Sequence, residues 1–344
     1  DGFLRPVIID GDIPLPYQKF NLSSFLDSRS IAKKRNEIRH ILKSMNLKTQ
    51  KDILDVTYGL SLTDTLWVKP ADSVLKWSDI NLYENDFDET IGKLSILGEK
   101  MISGFKTTSP EFGTDGMLPK CWVRRKDGIY MLKGGTSGNS SMGREPVTEE
   151  LAYQLEKALD INCVSYKTEI YHGKTVSCCK LMTDTKRGIT PLYALSTVQN
   201  FYDLIDTGKK YGIEKDLKTM LSFDILTGNN DRHQGNIQLM FDNDTFEIQG
   251  LSPVFDNGQA LCNRIPEIKF ENMQEQFYRR YPALYDDFYD YYDSIVSEEF
   301  YCKLRGIQDF EFTDNGFLSD NELCEYNKFI QWRIKDMILR YENI

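Results

Sequence analysis

Residues 226–236 read LTGNNDRHQGN, a run with three Asn, two Gly and one of only three His in the chain. It follows the apolar stretch DLKTMLSFDI, whose Leu217, Met220, Leu221 and Asp224 or Ile225 recur at helical spacing, with Gly228 as a natural stop. It precedes IQLMF, the turn DNDT and FEIQGLSPVFDNG, which read as a hairpin whose second half delivers Asp256 at or just beyond a strand end. A solvated Gly/Asn turn would account for the run taken alone. What surrounds it decides otherwise.

An apolar share of 40% over 344 residues is enough to bury a sizeable core, and the length allows two or three domains. With 42 basic against 52 acidic residues, the net charge of −10 disfavours bulk electrostatic binding to nucleic acid or to an anionic membrane. No apolar run approaches the roughly 20 residues that span a bilayer, and DGFLRPVIID lacks a signal pattern, so the expected location is cytoplasmic. Seven Cys without a C-x-x-C pair read as reduced thiols. Vicinal Cys178 and Cys179, if on a strand, point to opposite faces.

Along the chain, 28–46 is expected to be a helix with a basic, solvated face. Residues 60–95 read as irregular structure packed by Trp67, Trp77, Leu82 and Tyr83, covering a neighbouring domain. Two strand-like runs, Cys121 to Arg125 and Ile129 to Lys133, flank the hairpin signal Asp127-Gly128, so Lys133 closes a strand. The connector GGTSGNSSMG leads to a helix expected near Thr148 to Leu159, with Glu149 and Glu150 in its first turn, where acids suit the helix dipole. Beyond about residue 270 the aromatic-rich segments read as helices whose rings build the core.

Phosphoryl transfer from ATP needs a carboxylate to orient or deprotonate the attacking hydroxyl, oxygen ligands for Mg²⁺, a cation on the phosphates and a backbone cover. Asp231 and Asn236 have the D-x-x-x-x-N spacing of a kinase catalytic loop, and Asp256-Asn257-Gly258 follows as a counterpart of the metal-binding D-F-G. Lys133 supplies a strand-borne cation, and Glu149 is the acid best placed to hold it. His233 is either a scaffold of the loop or a participant, and positioning chemistry favours the scaffold. Arg232 can approach a phosphate or pair with an acid, and the sequence leaves both open. Element order places the adenine contact after the strand KTVSCCKLM, at the backbone of Lys180, Leu181 and Met182.

NNDRHQGN followed by SPVFDNG resembles the HipA-like serine/threonine kinases, and the DRH core is similar to phosphoinositide 3/4-kinases of the same protein-kinase-like fold. By motif the resemblance covers roughly residues 110–265. It implies an α+β fold of two lobes, a β-rich N-lobe and a mainly helical C-lobe, with an extra N-terminal segment. The expected divisions are 1–95, 96–185 and 186–344. By the same resemblance Asp231, His233 and Asn236 form the catalytic loop set, Asn236 and Asp256 hold Mg²⁺, and Lys133 binds phosphate. GTDGMLPK, with Gly113, Thr114 and Gly116, corresponds to the phosphate loop. No Ser lies within Gly113–Lys120, and the HipA N-terminal region is not recognisable in 1–95.

The expected function is therefore an ATP- and Mg²⁺-dependent protein Ser/Thr kinase with a protein substrate, a regulatory partner protein and no direct contact with nucleic acid. A lipid or small-molecule kinase of the same fold is the alternative, and a nucleotide-binding pseudokinase acting by interaction is a third.

Overall fold

The computed structural model describes residues 49–70, 72–89, 118–136 and 143–343, with isolated positions at 26, 28, 29, 96, 97, 109, 110 and 114. The basic stripe expected over 28–46 lies outside the described residues apart from Ser28 and Arg29. So do Gly113, Gly116 and residues 137–142 of the Ser/Gly connector.

Among the described residues the helices are, in chain order, α1 (Gln50–Thr57), α2 (Trp77–Ile80), α3 (Glu145–Ala158), α4 (Leu192–Leu195), α5 (Phe201–Lys210), α6 (Glu214–Thr227), α7 (Phe270–Tyr278), α8 (Tyr292–Ile295), α9 (Glu298–Gly306) and α10 (Asp320–Glu342). The strands are β1 (Lys120–Arg125), β2 (Gly128–Gly134), β3 (Tyr166–Tyr171), β4 (Lys174–Lys180), β5 (Arg187–Pro191), β6 (Gln238–Asp242) and β7 (Ile248–Leu251). An antiparallel sheet in the order β1-β2-β4-β3 forms one part, and a smaller sheet, β5-β6-β7, lies with the helices.

The period of two sorts the large sheet into faces. Lys120 pairs with Lys133, Lys133 with Ser177, and Ser177 with Thr168, so these four side chains share one face, as do Cys179 and Tyr166. Helix α3 packs on this face: the Thr168 hydroxyl donates to the Pro146 carbonyl at 3.0 Å. The opposite face buries Cys121, Val123, Leu132, Val176 and Cys178. Cys178 and Cys179 thus point apart, and the described cysteines are all free thiols.

The described residues of 58–70 and 72–89 are largely irregular, with the single turn α2 among them, and they share a core with the sheet. Leu60, Leu62, Leu82 and Phe87 pack against Trp122 and Ile129, with Trp67, Trp77 and Tyr83 around them. Arg124 fixes this layer by donating to the carbonyls of Leu82 at 2.8 Å, Tyr83 at 3.1 Å and Asn85 at 2.8 Å.

Two local readings need correction. The first hairpin closes on Arg125↔Gly128, so Lys126-Asp127 make the turn while Gly128 already belongs to the ladder. Helix α3 begins at Glu145, three residues before the expected start, because Pro146 preconfigures its first turn. Glu149 therefore lies in the second turn, and its carboxylate serves the sheet rather than the helix dipole.

The helical part is built on α6, whose Leu217, Met220, Leu221, Phe223, Ile225 and Leu226 are all buried. Gly228 ends it in a left-handed cap, φ 64°. Arg333 of α10 takes up the exposed carbonyls at that end, donating to Ile225 at 2.9 Å and Leu226 at 3.3 Å while its guanidinium covers the Phe277 ring at 3.8 Å. Arg280 does the same for Gly228 at 3.0 Å and for Gln259 at 2.5 Å. The polar loop thus starts from a fixed point.

Candidate active site

Lys133 projects from β2 into a buried cage. Its Nζ lies 2.9 Å from Glu149 Oε1 on α3 and 3.0 Å from Asp256 Oδ1, with the Tyr166 hydroxyl at 3.5 Å. The other Glu149 oxygen accepts from the Ser177 hydroxyl, so that carboxylate is held from two strands. Burial disfavours the Lys133 charge, but the two carboxylates outweigh it and raise the pKa well above its ordinary value. Burial pushes Glu149 up, against the pull of Lys133. For Asp256 burial would do the same, yet Lys133, with Lys120 behind it, holds the carboxyl below its ordinary range.

Asp256 sits at φ 60°, a left-handed conformation uncommon outside glycine, and its N–H donates to the Tyr166 hydroxyl at 3.2 Å. The surrounding bonds hold it there. Arg232, from the loop after α6, spends all five of its donors: on Asp224 through Nε and Nη2 at 3.0 and 3.1 Å, on Asn257 Oδ1 at 2.5 Å, and on the carbonyls of Asn236 and Phe255 at 3.1 and 2.7 Å. Arg232 is therefore an acid-paired staple between the loop 231–236 and the segment 255–257, with no donor left for a phosphate. Asn229 adds bonds to Asp224 at 2.9 Å and Asn257 at 3.3 Å.

Within the loop, Asn236 commits its Nδ2 to the Asp231 carbonyl at 3.0 Å, which assigns its amide oxygen to the role of acceptor. Asp231 has an exposed side chain, and its N–H donates to Asn229 Oδ1 at 3.2 Å. Partial loss of solvent around the Asp231 carboxyl raises its pKa. His233 is exposed, and its Nδ1 accepts from the Gly235 N–H at 3.0 Å, a bond that shapes the turn. Of the expected phosphate loop, Thr114 is described. Its hydroxyl donates to the Pro110 carbonyl at 2.7 Å and accepts from Trp122 at 2.9 Å, so the side chain is committed to the fold. Past β4, the Leu181 N–H is taken by the Ile129 carbonyl at 2.8 Å, and Met182 packs beside Tyr166, Cys179 and Phe255.

The donors suit a small hard cation. Asp256 offers a carboxylate and Asn236 an amide oxygen, and no group of three or more His, Cys, Asp or Glu forms a metal cage among the described residues. Sequence reasoning missed Lys120, Glu156, Tyr166, Ser177, Asn229 and Asn257. For Asp224 the signal was present: a carboxylate on an apolar helix stripe must have a buried partner.

The fold that carries these residues has known counterparts. A Helicobacter pylori proinflammatory kinase, CtkA, superposes with a TM-score of 0.54 at 17% identity, covering 65% of this chain and 94% of its own. The HipA of Shewanella oneidensis MR-1, solved with HipB and operator DNA, gives 0.57 at 11% identity, covering 91% of this chain and 85% of its own. The chain has a HipA-like kinase fold. No protein-family profile matches the sequence, and no curated relative does. The likeness to HipA extends well beyond the motif-bearing residues 110–265, and the β-sheet lobe and helical part are those of a kinase-like fold.

One buried acid behind the site has a measurable pH signature. Glu156 of α3 is fully buried, and burial pushes its carboxyl from an ordinary 4.5 up to about 8, with the Arg232 charge and Asn257 opposing and Asp224 adding to the rise; Cys163 is its other neighbour. A raised acid contributes stability fully below its unfolded pKa and loses it as pH rises through the folded one. Urea unfolding of the parent should therefore weaken relative to Glu156→Gln between pH 4.5 and 8, by at most about 1.4 kcal/mol per pH unit. Parallel stability curves would mean that Glu156 is ionised throughout.

Proposed function

We propose that the chain is an ATP- and Mg²⁺-dependent phosphotransferase acting on Ser or Thr of a protein. The observation that supports this best is the Lys133 ammonium held between Glu149 at 2.9 Å and Asp256 at 3.0 Å. It stands beside a loop that Arg232 fastens to the Asp256 segment. Lys133 binds the nucleotide phosphates, and Glu149 keeps its ammonium aimed at them. Asp256 and the Asn236 amide oxygen would hold Mg²⁺, which would supply compensation for the charge of the transferring phosphoryl group. Asp231 orients the substrate hydroxyl and takes its proton as the new O–P bond forms and the bond to the leaving ADP breaks. A raised pKa fits that task.

His233 shapes the loop and does no proton transfer in this reading. The adenine edge meets the backbone of Lys180, Leu181 and Met182, with the Met182 N–H as donor because that of Leu181 is already used. Residues 96–185 and 186–344 form the two lobes, with 1–95 as the added layer. HipA of Shewanella oneidensis was solved with HipB and operator DNA. A regulatory partner protein belongs to the proposal here, and direct nucleic-acid contact does not, given the net charge of −10. A cytoplasmic location completes the reading.

Purified chain incubated with labelled ATP and Mg²⁺, with and without a cell lysate, tests it. Label on protein is expected. Label on a lipid or metabolite moves the chain to the other kinase class, and no label anywhere ends the phosphotransfer reading. Lys133→Met should lower transfer about 10²-fold or more, in line with the loss of one electrostatic transition-state contact. Glu149→Gln should cost less, since it removes only the partner that aims Lys133. Equal and negligible effects in steady-state assays would take the pair out of the site.

A further inference from the structure

We propose that Glu156 is a positioning residue for the metal-binding segment, acting through the Asn257 side chain. The inference rests on the phosphotransfer reading and names a control point within that site. Glu156 lies on α3 seven residues beyond Glu149, two helical turns away, so both acids project along one stripe. Its Oε1 accepts from Asn257 Nδ2 at 2.8 Å. Asn257 is the residue immediately after Asp256.

The orientation of the Asn257 amide is the crux. Its oxygen accepts from Arg232 at 2.5 Å and from Asn229 at 3.3 Å, and its nitrogen donates to Glu156. A flipped amide would set its NH₂ against the guanidinium, donor facing donor. The Glu156 acceptor on the α3 side completes that preference by giving the amide nitrogen its partner. An apolar residue at 156 would fill the space at lower desolvation cost, but it would leave the buried Asn257 nitrogen without a partner.

Helix α3 also grips the next residue. The Thr148 hydroxyl donates to the Gly258 carbonyl at 2.9 Å, and a Cβ on Gly258 would come within 3.2 Å of Glu145 Cβ. Residues 257 and 258 are thus fastened to the helix whose Glu149 holds Lys133, and Lys133 holds Asp256. The left-handed backbone at Asp256 persists because its surroundings over-determine it. Glu156 is surrounded by Asn257, Arg232, Asp224 and Cys163, with Lys157 beside it on α3.

The test measures the Mg²⁺ half-saturation of labelled-phosphate transfer for the parent, Glu156→Ala, Glu156→Asp and Glu156→Gln. Partners behind a metal ligand typically matter 10–100-fold, so Glu156→Ala should raise the half-saturation about tenfold. Glu156→Asp, one methylene too short to reach Asn257, should behave alike and serves if the Ala variant fails to fold. Glu156→Gln keeps an acceptor toward Asn257 and should restore the parent value to within about twofold. On an Asn257→Ala background, Glu156→Ala should add little, since residues acting as one unit are non-additive. Hydrogen exchange of residues 254–260, measured without nucleotide or metal, should quicken in Glu156→Ala and not in Glu156→Gln. That readout keeps the two ideas apart: altered exchange in a protein that transfers no phosphate sinks the kinase reading and upholds the positioning. Folded Ala and Asp variants with unmoved half-saturation and unmoved exchange would overturn the proposal, as would full additivity with Asn257→Ala.

Discussion

Asp256→Asn should lower phosphoryl transfer by about 10³-fold, the several kcal/mol expected when a metal-held charge contact disappears, and should abolish the response to Mg²⁺. Asn is the informative substitution because it keeps the size of Asp and, like Asp, tolerates the left-handed backbone found there at φ 60°. Lys133 retains Glu149 as a counterion, so the fold should survive. The acid limb of the stability curve should also change. The depressed Asp256 carboxyl contributes stability above its ordinary pKa and loses it as pH falls through the folded value, so the parent should carry an acid-sensitive component that the variant lacks. Transfer assays across a Mg²⁺ series and urea melts at low pH check the two halves separately. Unchanged turnover and Mg²⁺ dependence would remove Asp256 from the site.

The parts of this molecule that announce themselves in sequence are those governed by local rules. The end of α6 at Gly228, the β6-β7 hairpin and the strand carrying Lys133 all follow from periodicity and turn chemistry over a few residues. The divergent directions of Cys178 and Cys179 follow from the period of two alone. What could not be read was contact between distant segments. Nothing near Arg232 in the chain distinguishes a phosphate contact from an ion pair, and Asp224, eight residues away on the preceding helix, decided it. Ser177 and Tyr166 surround Lys133 only because of strand register. Glu156 and Asn257 meet across 101 residues. Helix α3 starts three residues ahead of its apolar stripe because Pro146 preconfigures the first turn.

The same contrast sets the expected behaviour of the loop 231–236, where under the proposed function one substitution should strike chemistry and its neighbour should strike binding. Asp231→Asn preserves size and leaves the backbone bond from its N–H to Asn229 intact, while removing the charge that would take the substrate proton. ATP affinity should change little and thermal stability hardly at all, whereas transfer should fall by about 10²–10⁴-fold, the usual contribution of a general base. Asn236→Ala removes the amide oxygen assigned to the metal together with the Nδ2 bond to the Asp231 carbonyl at 3.0 Å. Its first effect should be weaker nucleotide binding at limiting Mg²⁺, relieved in part by excess metal. A residual loss in kcat should remain at saturation, because the carbonyl that this bond tethers belongs to Asp231, the proposed base. Nucleotide titrations and single-turnover transfer at low and high Mg²⁺ separate the two patterns. A merely solvated turn would give neither: both variants would transfer phosphate like the parent, and the assignment of this loop to phosphoryl transfer would lose its main support.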